Sequence, residues 1–352
     1  MTAGVANVLL KNLNTFNMVI IIGASSFIGV HTVDKFLSEG CKVAVTGRNN
    51  KFKSHYDKWG VDYYNLDLSN KDDFEQLPKE GIDGVVLLAG LLPANAEVDL
   101  DKDENAADYF RINVIGTINV LEYCRKNGIK RVISACSYAD VKNAWSADKA
   151  ITEEEPRNFS YKGDHAVYVI SKNAANDVME YYNQQHGMKN AWFRFPPVYG
   201  AGPHGSLFVN GKIYKSGLQI FMDNAAEGKD IYVYGDKNIS RDVVSVKDVA
   251  CAYYQAMFSD KTYGLYNITS GRGVTLAEQA EVIAEVFHKE GNPKSNVIYS
   301  PEKPNNSVSY LFSIKKAHCD FGYNPKFADF KAMMTDWKRD LDNNLYRDLF
   351  HY

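Results

Sequence analysis

The stretch Gly23-Ala24-Ser25-Ser26-Phe27-Ile28-Gly29 constrains this chain more than any other. It lies between a β-branched run, Met18 to Ile22, and a helical pattern that runs from Phe27 to Glu39 and stops at Gly40. A short, wholly apolar run reads as a strand buried on both faces, and apolar residues recurring every three or four positions read as an amphipathic helix. Glycines at the turn between them let the backbone approach a pyrophosphate closely. The first turn of the helix adds unpaired N–H groups and the positive end of its dipole. Ser26 takes the middle glycine position of a G-x-x-G-x-x-G loop. A glycine string alone could be a mere tight turn, but at a strand-to-helix junction it predicts a dinucleotide cradle.

The same alternation continues. Strands are expected at Lys42 to Thr46, Asp62 to Leu66, Gly84 to Leu88, Arg131 to Ser134 and Ala191 to Phe195, with helices at Lys71 to Leu77, Asn105 to Asn127 and Val167 to Gln185. Strands separated by helices pair in parallel, so the fold class is α/β, a Rossmann doubly wound parallel sheet. A chain of 352 residues exceeds one minimal domain. After Phe195 the punctuation becomes dense (Pro196, Pro197, Gly200, Gly202, Pro203, Gly205) and short strands such as Ile231 to Tyr234 follow. The expected division is a leader at 1–17 with no assigned chemistry, a dinucleotide-binding domain at 18–195, and 196–352 as mainly a smaller α/β substrate-binding lobe. Some segments of that lobe should return to the Rossmann sheet.

Composition narrows the partners. A net charge of −3 with 24% charged residues gives no electrostatic reason to expect nucleic acid or an anionic membrane. The five cysteines are odd in number and lack C-x-x-C spacing, so neither a disulfide framework nor a metal site is expected, and a reducing cytoplasmic setting fits. Residues 1–17 contain only a short apolar patch, Val5 to Leu10, too short to span a bilayer and lacking the basic start of a signal peptide. The partner is expected to be a small molecule.

Two features bear on chemistry. The acidic residue that grips the adenosine ribose should close the second strand, and Gly47-Arg48 stand there instead. A guanidinium pairs with a 2′-phosphate that a carboxylate would repel, which favours NADP(H) over NAD(H); a solvent-facing Arg48 is the plain alternative. Tyr-x-x-x-Lys, which stacks both side chains on one helix face, occurs three times: Tyr138/Lys142, Tyr168/Lys172 and Tyr299/Lys303. Only Tyr168/Lys172 falls in a helical pattern between two expected strands. For a free tyrosine near pKa 10 to act as a base at neutral pH its pKa must fall by roughly three units, about 4 kcal/mol of differential stabilisation. Lys172 and a bound nicotinamide cation would share that task. Cys136 reads as a small buried residue, and Tyr181, Tyr182, Phe221 and Met222 as core and lobe packing. Glu153 to Glu155 reads as a solvated loop, and His165 and His204 as conceivable auxiliary acids of the cleft.

In this order the motifs resemble the extended short-chain dehydrogenase/reductase family, in its nucleotide-sugar epimerase and dehydratase branch. They are the Gly23 loop, Asp67-Leu68, Leu88-Ala89-Gly90, Asn113-Val114-Ile115-Gly116-Thr117, Ser137, Tyr168 with Lys172, Val198-Tyr199-Gly200, and Arg241 through Ala250. The resemblance implies that NAD(P) is held by Gly23, Ser25, Ser26, Phe27, Ile28, Gly29, Arg48, Asp67, Leu68, Ala89, Gly90, Tyr168 and Lys172. It also implies that Ser137, Tyr199 and Arg241 bind a nucleotide-diphosphate sugar, with Asn113 in support. Ser137 would hydrogen-bond the reacting hydroxyl, and Tyr168 would move its proton while hydride passes between sugar and nicotinamide. Arg241 would meet the diphosphate, unless it is spent on a salt bridge to Asp242. Two departures matter. Tyr138-Ala139 replaces the Asp-Glu pair that 4,6-dehydration requires, and Pro197 replaces an asparagine expected to reach the diphosphate. A C4 epimerase leads, and an NADPH-dependent 4-keto-sugar reductase is the alternative. A dehydratase or a non-catalytic cofactor-binding module ranks lower. The family also implies a homodimer built on the helices around Asn105 to Asn127 and Val167 to Gln185.

Overall fold

Strand β1 (Met18–Ile22) is apolar on both faces because both faces are covered: Val19 and Ile21 join one buried cluster, and Ile20 and Ile22 join another. It lies between β2 (Lys42–Gly47) and β4 (Ile82–Leu87), with β3 (Asp62–Asn65), β5 (Val132–Ser137) and β6 (Ala191–Phe195) extending the sheet. The computed structural model describes residues 18–93, 106–163, 165–203, 206–209 and 212–350, so the expected leader and His204 fall outside the described residues. With β13 (Gly264–Asn267) at its edge, the sheet has seven strands in the order β13-β6-β5-β4-β1-β2-β3, every pair parallel. Parallel pairing sets all their carboxyl ends along one edge, where open α/β sheets bind ligands.

Among the described residues the α-helices longer than one turn are α1 (Phe27–Ser38), α2 (Asn50–Asp57), α3 (Gly116–Lys126), α4 (Ala166–His186), α5 (Gly217–Glu227), α6 (Val246–Phe258), α7 (Leu276–Val286), α8 (Lys315–Phe321) and α9 (Phe330–Asp342). Helices α1 and α6 cover one face of the sheet through Val33, Phe36, Ala252, Tyr253 and Met257. On the opposite face lie α3 and α4, through Val120, Leu121, Met179 and Tyr182. A third cluster gathers α5, α7 and α9 against β10 (Ile231–Tyr234), which pairs in parallel with β15 (Val297–Ser300). The remaining strands are short: β7 (Val198–Tyr199), β8 (Ser206–Val209), β9 (Lys212–Lys215), β11 (Ser240–Asp242), β12 (Val244–Ser245) and β14 (Gly273–Thr275). Strand β13 (Gly264–Asn267) returns to the main sheet beside β6.

Several expectations shift. The segment expected as helix Lys71 to Leu77 is a 3-10 helix, Lys71–Gln76. The helix expected over Asn105 to Asn127 breaks into Ala106–Tyr109, a π-helical turn Phe110–Ile115, and α3. Strand β5 runs on past Ser134 to Ser137, because pairing with β6 continues to Ser137 opposite Phe195. Tyr181 is 55% exposed rather than core, since its neighbour Tyr182 takes the buried position on α4.

Candidate active site

The loop after β1 can be tight only because residue 23 is glycine. Its φ is +94°, and a Cβ there would stand 2.4 Å from Ala89 N. That contact brings the β1 loop against the β4 loop, whose Ala89 N–H donates to Ile22 O at 3.0 Å. Ser26 caps α1: its Oγ accepts from Gly29 N at 3.1 Å and donates to Gly23 O at 2.8 Å. The serine in the middle glycine position is thus spent on the loop itself. Ile28 follows in the first turn, where backbone N–H groups have no acceptor within the helix. The Phe27 ring lies where a Cβ on Gly202 would be, 2.2 Å from its nearest atom, so the loop after β7 closes onto the cradle.

At the adenosine end, Tyr63 Oη and Ser25 Oγ occupy the space where a side chain at Gly47 would begin, at 2.4 and 2.8 Å. No carboxylate can stand at that position. Arg48 is exposed. The Asp67 carboxylate accepts from Ser69 N and Ser69 Oγ, both at 2.8 Å. Those bonds hold it below the usual carboxylate range, helped by the Arg48 and Arg111 guanidiniums. Leu68 is buried and its carbonyl accepts from Asn119 Nδ2 at 2.8 Å. A Cβ on Gly90 would lie 3.0 Å from Asn113 Oδ1.

Ser137 ends β5, buried, with its Oγ accepting from Ala139 N at 3.2 Å. Tyr168 and Lys172 stand one turn apart on α4, both half-buried. The other Tyr-x-x-x-Lys pairs do not share a regular helix: Tyr138 begins a kinked 3-10 segment and Tyr299 lies on β15. Burial pushes the Tyr168 phenol above its ordinary value, with the nearby Cys136 and Tyr109 adding to it. Burial pushes the Lys172 ammonium down to about 8, against the influence of the Cys136 thiol. The direction at Tyr168 is the reverse of the lowered value a base needs. Cys136 itself is pushed up to about 12 by burial, which leaves no thiolate. In the π-helical turn, Asn113 bonds the Leu91 backbone at both its N–H and its C=O and donates to Ser171 Oγ at 3.0 Å. Ser171 in turn donates to Tyr168 O at 2.8 Å, so this asparagine ties the β4 loop to the helix that carries Tyr168.

On β11, Arg241 donates to Ser307 Oγ, while its Nε is buried without a hydrogen-bond partner. The alternative salt bridge to Asp242 is not formed: that carboxylate accepts from Ser270 N at 3.1 Å, Ser270 Oγ at 2.8 Å and Phe312 N at 3.2 Å. Tyr199 stacks on Trp337 with 5.9 Å between centroids, and burial pushes its hydroxyl up to about 12, eased by Arg241. Tyr138 stacks on Trp145 at 5.1 Å, and both rings meet Tyr310. Glu153 corrects the expectation of a solvated loop. It is half-buried and accepts from Asn267 N at 2.8 Å, which fastens that loop to β13. His165 is exposed at the start of α4. Sequence reasoning missed Tyr63, Ser171, Ser307 and the ion pair of Asp140 with Arg194, all contacts between segments distant in the chain. Among the described residues no helix is long and apolar enough to cross a membrane.

With this geometry in view, comparison with known proteins places the chain. The model of the NAD dependent epimerase/dehydratase family matches residues 19–269. A putative UDP-glucose 4-epimerase of Methanocaldococcus jannaschii is 26% identical over 321 residues, covering 88% of this chain and 93% of that protein. The crystal structure of UDP-glucose 4-epimerase with UDP-glucose from Thermotoga maritima superposes with a TM-score of 0.73 at 22% identity, covering 93% of this chain and 99% of that one. The Thermus thermophilus UDP-glucose 4-epimerase complex with NAD gives 0.71 at 24% identity, covering 93% and 100%.

Proposed function

The chain belongs to the NAD-dependent epimerase/dehydratase family, and on that premise we propose that it epimerises C4 of a nucleotide-diphosphate sugar through a transient 4-keto sugar. The observation that carries this reading is the placement of Tyr168 and Lys172 on α4, in a site that offers no carboxylate at positions 138 and 139 for elimination of water. The residues fit a dinucleotide: the Gly23 cradle admits no side chain, the first turn of α1 presents N–H groups, and Lys172 is a half-buried cation. A nicotinamide dinucleotide held there would supply the hydride acceptor and donor needed to oxidise C4 and reduce it again.

Ser137 Oγ holds the C4 hydroxyl at the sheet edge, Tyr168 Oη takes and returns its proton, and Lys172 Nζ steadies the tyrosinate and the ribose of the dinucleotide. Gly23, Ser25, Ser26, Phe27, Ile28 and Gly29 receive the pyrophosphate. Asp67 and Leu68 flank the adenine, and Ala89 and Gly90 the ribose and phosphates beyond it. Arg241, with an unspent buried Nε, meets the sugar's diphosphate beside Tyr199. Arg48, next to Gly47 where no side chain fits, favours NADP(H) and supports a second reading, an NADPH-dependent 4-keto-sugar reductase. Phe110, Ile115 and Tyr181 are 39%, 47% and 55% exposed on the helices that flank the site, and this apolar surface supports a homodimer. Five free thiols support a reducing, cytoplasmic setting. The lobes divide after Phe195, with β13 and α6 returning to the larger one.

The test is mass spectrometry of the small molecules released on denaturing the purified protein. Retained NAD(P) is the expected result, because an epimerase recycles its hydride internally. An empty site that then binds NADPH on titration would overturn the epimerase in favour of the reductase.

A further inference from the structure

Three residues beyond Ser137, Asp140 sits 3% exposed, with its Oδ2 2.8 Å from Nη2 of Arg194, itself 1% exposed. Arg194 is on β6, in register opposite Cys136, so the pair joins the segment after β5 to the neighbouring strand beside Ser137. Its Nη1 donates to Asn267 Oδ1 at 3.2 Å, and Asn267 Nδ2 donates to Ile151 O at 3.1 Å and Ser313 O at 3.2 Å. The backbone of Asp140 is held as well, its carbonyl accepting from Asn158 N at 2.7 Å. Ser137 is the N-cap of this same 3-10 segment, through the Ala139 N–H. Through that bond the orientation of the Ser137 hydroxyl is tied to the placement of the segment.

Stability alone does not account for the pair. Desolvating two charges usually costs more than their attraction returns, and apolar residues of similar volume would fill the space at least as well. The pair is also incompletely satisfied, since Asp140 Oδ1 and Arg194 Nε are buried without hydrogen-bond partners. An apolar contact would lack direction. The Arg194 guanidinium spreads its fork over two partners, Nη2 to Asp140 and Nη1 to Asn267, and so sets orientation as well as distance.

We propose that Asp140 and Arg194 are positioning residues: their ion pair pins the segment after β5 so that Ser137 Oγ faces the reacting hydroxyl. This rests on the reading of Ser137 as a catalytic residue, and two measurements keep the questions apart. The first is a double-mutant cycle. Asp140→Asn is expected to lower kcat about 10- to 100-fold with KM little changed, as a displacement near 1 Å can do. In a Ser137→Ala background the same change is expected to cost almost nothing further. An equal loss in both backgrounds, or no loss in the first, overturns the proposal. Arg194→Lys, which keeps the charge and loses the fork, replaces Asp140→Asn if that variant does not fold. The second measurement does not depend on turnover: crystal structures of wild type and variant should show the Ser137 hydroxyl displaced and its bond from Ala139 N lost. A protein inactive on every nucleotide sugar would remove the functional reading and leave this structural comparison to decide the positioning. An unmoved Ser137 overturns it.

Discussion

Lys172 shows how one buried charge serves chemistry at a cost to the empty protein. Its ammonium is pushed down to about 8 from an ordinary 10.5 by burial. Between those values the unfolded chain binds more protons than the folded one, so stability attributable to this residue rises with pH across that window. Below it the full cost of burying the charge is felt. Lys172→Met is therefore expected to gain stability relative to wild type near neutral pH, and to lose that advantage as pH climbs from 8 to 10.5. Paired thermal melts across this range check it, and a pH-independent difference contradicts it. Tyr168 and Lys172 were legible as a pair because spacing and a helical pattern are local properties. Asp140 and Arg194 were not, since they lie 54 positions apart and meet only when β5 pairs with β6. Arg241 was legible as a cation, but its partner Ser307 lies 66 positions away.

At the scale of elements, the β1–loop–α1 unit was readable almost residue for residue, because an unbroken apolar strand, a glycine turn and a capped helix each carry a local signature. Helix α2 was missed: only Phe52 and Tyr56 are buried among polar residues, and its clearest signal is the N-cap Asn49, which accepts from Lys51 N at 2.9 Å. The π-helical turn at Phe110–Ile115 was equally invisible, for no residue type compels it, yet it carries the Asn113 that links the β4 loop to α4. Gly23→Ala tests how far the cradle depends on an absent side chain. The positive φ alone costs on the order of 1–3 kcal/mol, and the new methyl must push the β1 and β4 loops apart. Both melting temperature and NAD(P) affinity, read by calorimetry, are expected to fall. Unchanged cofactor affinity contradicts the role given to that contact.

Across the whole molecule, the sheet, its flanking helices and the C-terminal segment are joined by contacts that no local pattern reveals. The chain leaves α9 and sends Tyr346, Leu349 and Phe350 into the cluster beneath α1, where the Tyr346 ring meets His31 at 5.0 Å. His31 Nε2 donates to Ala201 O at 2.8 Å, and its ring touches Phe27, so the C-terminal segment, the loop after β7 and the cradle lie in one contact chain. Exposed Ile115 and Tyr181 set the expectation for assembly: Ile115→Arg combined with Tyr181→Arg should convert a dimer to a monomer in light scattering. A wild-type protein already monomeric contradicts that reading. The central claim, C4 epimerisation, is tested most directly by incubating the purified protein with UDP-glucose and no added cofactor, and following the sugar anomeric signals by NMR. The account predicts that the C4 epimer of a nucleotide sugar, UDP-galactose where UDP-glucose is turned over, appears with no net oxidation or reduction, and that Tyr168→Phe slows its appearance at least about 100-fold. No epimer from this or any other nucleotide sugar offered, or turnover only when NADPH is supplied and consumed, would contradict it.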